Sequence, residues 1–135
     1  MPLGSVRIVV IDDEPALLES MCSYLSRLGH KVTAFRCAGA AWESLASEGL
    51  GSESAVNVII VDLTLPGMSG EEFIRKIVER DPAIAVLATS GYPRTLETLG
   101  FPLGARVATL AKPFTPRMLT EALGRLLDGD QSAVV

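Results

Sequence analysis

Two rhythms run along this chain. Residues 6–11, 56–62, 83–89 and 106–111 are apolar almost without break and bounded by turn residues, the pattern of strands covered on both faces. A fifth stretch, residues 30–35, is more mixed and is read as a strand with Val32 and Ala34 inward or between layers. Between these runs, apolar residues recur at three- and four-residue steps, the mark of helices with one buried face. Leu17, Leu18, Met21, Leu25 and Leu28 form the first such stripe, and Trp42 and Leu45 lie on a second helix over 38–48. Phe73, Ile74, Ile77 and Val78 belong to a third over 71–80; Met118, Leu119, Ala122, Leu123, Leu126 and Leu127 belong to the last.

The punctuation agrees with the rhythm. Pro15 suits a first helical turn, where its missing N–H costs nothing. Gly29 suits a left-handed cap, and Asp81-Pro82 stops the third helix. Thr115 caps the last helix, with Pro116 in its first position. Residues 93–104 fit neither rhythm; Arg94 to Leu99 is read as a short extra helix, interrupted by Gly100, Phe101, Pro102 and Gly104.

Strand and helix thus alternate five times. That pattern predicts an α/β fold: a doubly wound, five-stranded parallel sheet with right-handed crossovers and helices on both faces. The 135 residues suit one domain, read as 6–127 between a leader (1–5) and a tail (128–135). With 48% hydrophobic but only 5% aromatic residues, its core must be mostly aliphatic. A net charge of −4 without a lysine or arginine cluster argues against nucleic-acid binding by this chain. No apolar run approaches the ~20 residues that cross a bilayer, and no charged segment precedes an apolar one at the amino terminus. The expectation is a cytoplasmic protein without membrane attachment. Cys22 and Cys37 lack metal-like spacing and read as buried or half-buried thiols. His30, the single histidine, reads as a solvated turn residue.

Open parallel sheets bind ligands outside the carboxyl ends of their strands. There, strands one, three, four and five deliver Asp12 and Asp13, Asp62, Ser90 and Lys112. Three crowded carboxylates repel one another, and a hard divalent cation resolves the repulsion. Mg²⁺ favours such oxygen ligands. A neighbouring lysine and hydroxyl suit a transferring phosphoryl group, whose charge spreads over its oxygens. A carboxylate can itself be the nucleophile, giving an aspartyl phosphate. Asp62 is the candidate because it stands alone, whereas Asp12 and Asp13 form a pair suited to metal. Each piece also has a plainer reading. Acids favour helix starts, Ser90 could be a turn residue, and Lys112-Pro113 could simply end a strand. The joint placement at strand ends is what argues for a site.

Four blocks make the pattern specific: Val10-Ile11-Asp12-Asp13-Glu14-Pro15, Val61-Asp62-Leu63-Thr64-Leu65-Pro66-Gly67-Met68-Ser69-Gly70, Thr89-Ser90-Gly91-Tyr92, and Leu110-Ala111-Lys112-Pro113-Phe114. In order and spacing the chain resembles a response-regulator receiver domain of two-component signalling, across about residues 6 to 127. The resemblance implies a flavodoxin-like sheet of order 2-1-3-4-5. It implies that Asp62 accepts phosphate from a phosphohistidine on a sensor histidine kinase or a histidine phosphotransfer protein. Mg²⁺ (or Mn²⁺) would be held directly by Asp13, Asp62 and the backbone carbonyl of Thr64, and by Asp12 through water. Ser90 would hydrogen-bond the phosphoryl group, Gly91 would leave room for it, and Lys112 would pair with it, followed by a cis bond to Pro113. The last two blocks are similar to receivers of hybrid sensor kinases. A stand-alone regulator and a relay intermediate are the other expected contexts, and a homodimer is left open.

One residue departs from the pattern. Many receivers carry an aromatic three residues before the lysine; here Thr109 stands there. The expectation is that phosphorylation reorders the stretch from Tyr92 to Gly104 instead. Three other readings fit the residues less well. An Asp-nucleophile phosphatase would want an acid two residues after Asp62, where Thr64 stands. A pseudo-receiver serving only as an interaction module would be expected to lose an acid or the lysine. A nucleotide-binding flavodoxin-like protein would want a glycine loop after strand one, where acids stand instead.

Overall fold

The computed structural model describes residues 5–48, 56–91 and 106–128. The apolar runs form β1 (Arg7–Ile11), β2 (Lys31–Phe35), β3 (Val58–Asp62), β4 (Ala85–Ser90) and β5 (Arg106–Ala111). The periodic segments form α1 (Pro15–Arg27), α2 (Ala38–Glu48), α3 (Gly70–Arg80) and α4 (Pro116–Leu127). All pairings are parallel and the strand order is β2-β1-β3-β4-β5, the doubly wound arrangement expected. The order reverses between β1 and β3, where such sheets open a crevice at their carboxyl edge. The extra helix read at 94–99 lies outside the described residues.

Because successive strand side chains point to opposite faces, each strand feeds two cores. On one face Val9, Ile11, Ile59, Val61, Val86, Ala88 and Val107 meet the apolar stripes of α2 and α3. On the other, Ile8, Val10, Val58, Ile60, Ala85, Leu87 and Leu110 meet those of α1 and α4. Every residue of β3 and β4 is buried, as continuous apolar runs require.

Two helices carry hydroxyl caps, one of them the Thr115 that the sequence signals. The Ser69 hydroxyl accepts from the Glu72 N–H (3.1 Å) at the start of α3, and Thr115 does the same for Met118 (3.1 Å) in α4. Pro15 and Pro116 sit in first turns. Gly29 has φ +96°, a left-handed conformation that disfavours any side chain. At the other end of α4, the Arg106 guanidinium donates to the carbonyls of Leu126 (2.8 Å) and Leu127 (3.2 Å), satisfying acceptors the helix leaves open.

Several expectations need correction. His30 is buried, not solvated: its Nδ1 accepts the Val6 N–H at 3.2 Å, tying the segment before β1 to the end of α1. Leu28 is 47% exposed, because α1 ends at Arg27 and Leu28 falls off the stripe. On β2 only Val32 and Phe35 are half-buried, and Ala34 is exposed; an edge strand has a neighbour on one side only. Cys22 is half-buried, but Cys37 is exposed. Trp42 does pack as expected, half-buried against the core with Lys76 and Arg80 over its ring at 5.4 and 5.6 Å. Among the described residues no helix is long and apolar enough to cross a membrane.

Candidate functional site

The site lies at the carboxyl ends of the strands. Asp12 follows β1 directly, and its backbone N–H still pairs with the Phe35 carbonyl at 3.1 Å. Asp62 is the last residue of β3. Lys112 follows β5, its N–H bonded to the Ser90 carbonyl at 2.8 Å. Each is two residues beyond a core residue of the α1/α4 face: Val10, Ile60 and Leu110 respectively. The three side chains therefore leave the sheet on the same side.

They meet there. The Lys112 Nζ donates to Asp12 Oδ2 and to Asp62 Oδ2, both at 3.0 Å. The carboxylates are fixed from behind: Asp12 Oδ1 accepts the Glu14 N–H (2.9 Å) and Asp62 Oδ1 accepts the Thr64 N–H (2.9 Å). Asp12 is fully buried and Asp62 is 5% exposed. Burial alone would lower the Lys112 pKa, but hydrogen bonds and charge attraction from Asp62 and Asp12 outweigh it and hold the ammonium above its ordinary value. It is therefore charged at any physiological pH. Removing one member of such a buried ion group leaves an uncompensated charge, so the lysine and the two acids stand or fall together.

Asp13 completes the cluster from the solvent side. One carboxylate oxygen each from Asp12, Asp13 and Asp62 lies within 4.8 Å of the others. Three carboxylates against one ammonium leave a formal charge of −2, and every donor is a hard oxygen. That donor set fits a divalent cation of the Mg²⁺ or Mn²⁺ kind.

The other expected residues stand at the same edge. Ser90 is buried and closes β4. Thr64 and Gly91 are exposed, and a Cβ added at Gly91 would meet nothing within 4 Å. The Lys112–Pro113 bond is cis. Thr109 is buried on β5, beside Ala88, on the face opposite to the Asp62 row. The stretch from Tyr92 to Gly104, assigned a switching role above, lies outside the described residues.

Two residues within the family-like blocks have roles that the sequence does not reveal. A Cβ at Gly70, the first residue of α3, would collide with the Asp62 carbonyl and lie 2.7 Å from the Leu63 Cα. Gly70 thus lets α3 press against the very peptide that carries Asp62; a glycine directly after a serine cap was the available signal. Thr89 was read as part of a strand, yet it is the registered partner of Asp62 on β4.

Known proteins resemble this chain along most of its length. Residues 8–124 match the family model for the response regulator receiver domain. The response regulator FleR of Pseudomonas aeruginosa is 28% identical over 121 residues, covering 90% of this chain and 24% of FleR. The receiver protein CpdR of Brucella abortus is 24% identical over 121 residues, covering 90% of this chain and 96% of CpdR. The chain spans less than half the length of FleR and of several other curated relatives that it matches. A CheY-like receiver domain protein from Methanospirillum hungatei superimposes with a TM-score of 0.77 at 27% identity, covering 96% of this chain and 98% of that one.

Proposed function

The chain belongs to the response regulator receiver domain family, and from that premise we propose that it is a phosphoacceptor in two-component or phosphorelay signalling. Its partner is a sensor histidine kinase or a histidine phosphotransfer protein. The P–N bond of the partner's phosphohistidine breaks as phosphorus bonds to a carboxylate oxygen of Asp62. The imidazole leaves with the electron pair and regains a proton from water. Lys112 follows the incoming charge and pairs with the phosphoryl oxygens, Ser90 donates to one of them, and the open space at Gly91 admits the group.

Asp13, Asp62 and the Thr64 carbonyl would hold a divalent cation, with Asp12 acting through water. The chemistry such a cation supplies is neutralisation of the crowded negative charge. The acceptor is used once per signal, so the chain is a switch rather than a turnover enzyme; it assists its own phosphorylation and hydrolysis. It works in the cytoplasm, and residues 6–127 form the acting unit.

The observation that carries this reading is the single ammonium 3.0 Å from two buried carboxylates on different strands. Incubation with acetyl phosphate and Mg²⁺, read by intact mass, tests it. Gain of one phosphoryl group, abolished in Asp62→Asn, is the expected result. A wild-type chain left unmodified by both acetyl phosphate and a phosphohistidine donor would overturn it.

A further inference from the structure

Among the described residues, the Thr89 hydroxyl is the one buried side-chain polar atom with no hydrogen-bond partner. Thr89 is 1% exposed, so water does not reach it. A buried hydroxyl without a partner destabilises the fold, and a valine of the same shape would remove that penalty. An unpaired polar group in the core invites a functional reading when it sits beside a site.

It does so here. In the sheet register Asp62 pairs with Thr89 and Thr89 with Leu110. One step past the Ile11–Val61 pair, Asp12 stands beside Asp62. Asp12, Asp62, Thr89 and Leu110 thus form one row, on the face that carries α1 and α4. Lys112 follows Leu110 by two residues and starts from the same face. Its ammonium reaches Asp62 on β3 from β5, so its stem crosses β4, the strand between them that carries Thr89 in the Asp62 row. An ammonium has three donors and no acceptor, and the two carboxylates take two of them.

We propose that Thr89 is a positioning residue for Lys112: its hydroxyl accepts the third ammonium N–H when the lysine swings from the Asp62 carboxylate to a phosphoryl group on it. This rests on Asp62 accepting that group. In the unmodified state the hydroxyl is an acceptor without a donor, and the swing supplies one. A four-carbon stem is otherwise free to place its charge in several ways. A fixed acceptor beneath it narrows those ways to the one that faces the phosphoryl oxygens.

The test compares wild type, Thr89→Val and Thr89→Ser in the full chain, with acetyl phosphate and with beryllofluoride, both in Mg²⁺. Phosphorylation rate and beryllofluoride affinity should each fall about fivefold in Thr89→Val, the scale of one lost hydrogen bond, and stay near wild type in Thr89→Ser. The melting temperature of Thr89→Val should hold or rise, which separates lost positioning from lost folding. The nitrogen resonance of the Lys112 amine should move on beryllofluoride binding in wild type and Thr89→Ser, and by less than half as much in Thr89→Val. Equal rates and affinities in wild type and Thr89→Val would overturn the role of Thr89 and leave the phosphoacceptor reading intact. Equal losses in Thr89→Val and Thr89→Ser would also overturn it, since shape and not the hydroxyl would then matter. A wild-type chain that takes up neither probe would remove both readings together.

Discussion

Two neighbouring rows of the sheet, on the same face, have opposite characters. Val10, Ile60, Leu87 and Ala108 are registered across four strands, and the first three are sealed between α1 and α4. One pleat further along, the row is Asp12, Asp62, Thr89 and Leu110. The backbone is the same in both: parallel, continuously paired and buried. What differs is the side chains. The first row is apolar throughout, whereas the second carries two acids and a hydroxyl among buried neighbours, with the partly exposed Lys112 reaching over it. The inner row holds the sheet together, and the outer row uses the rigidity so gained to hold like charges close.

Substitutions should separate the two rows cleanly, with the inner one giving the largest stability change. Leu87 is fully buried between two strands and two helices. Leu87→Ala should cost about 2–5 kcal/mol of unfolding free energy, from lost apolar contact and the cavity left behind. Phosphoryl uptake by the remaining folded fraction should be unchanged. Urea titration gives the first quantity, and intact mass after acetyl phosphate gives the second. A Leu87→Ala protein that stays folded but no longer takes up phosphate would break the division between rows.

Gly70 joins the two. Since α3 begins against the Asp62 peptide, Gly70→Ala must either tilt the helix or push the end of β3. The expected cost is about 2–3 kcal/mol, in the upper range for a backbone collision. Unlike Leu87→Ala, it should also slow phosphorylation of the folded fraction, because the displaced peptide carries the acceptor. Arg106 sits at the far edge of the sheet and serves as a control. Arg106→Ala removes hydrogen bonds to the carbonyls of Leu126, Leu127 and Ala83. It should lower stability by about 1–2 kcal/mol and leave the phosphorylation rate alone.

The same contrast explains what could be read from the sequence. The inner rows announce themselves by periodicity, so the five strands and four helices among the described residues were legible, with ends shifted by one or two residues. The outer row was legible where charge was out of place: Asp12, Asp62 and Lys112 each interrupt an apolar run. Thr89 was not, since threonine is also an ordinary strand residue and only the register sets it beside Asp62. Gly70 was hidden for a similar reason, because a glycine at a helix start signals a turn as readily as a close approach. His30 was misread because its partner, the Val6 N–H, lies 24 residues away and carries no side-chain signal. Ala34 and Leu28 failed for want of context; periodicity gives the face of an element but not whether anything covers it.

The smallest predicted effect is the most specific. Asp13 is the exposed member of the acidic cluster, within 4.8 Å of two carboxylates that have buried themselves around a lysine. The lysine hydrogen-bonds Asp12 and Asp62, and among the described residues no ion pair involves Asp13. With no metal present, its charge is therefore repelled more than attracted. Asp13→Ala should raise stability, but by less than about 1 kcal/mol, since solvent screens an exposed charge. Added Mg²⁺ should stabilise the wild-type chain by mass action and leave Asp13→Ala nearly unmoved. The variant should also fail to take up phosphate from acetyl phosphate. Thermal melts of both proteins, with a chelator and with excess Mg²⁺, decide the matter: the two curves should cross over. If Asp13→Ala instead melts clearly lower in chelator, Asp13 contributes to the fold, and the cluster is not the strained acidic set that the outer row describes.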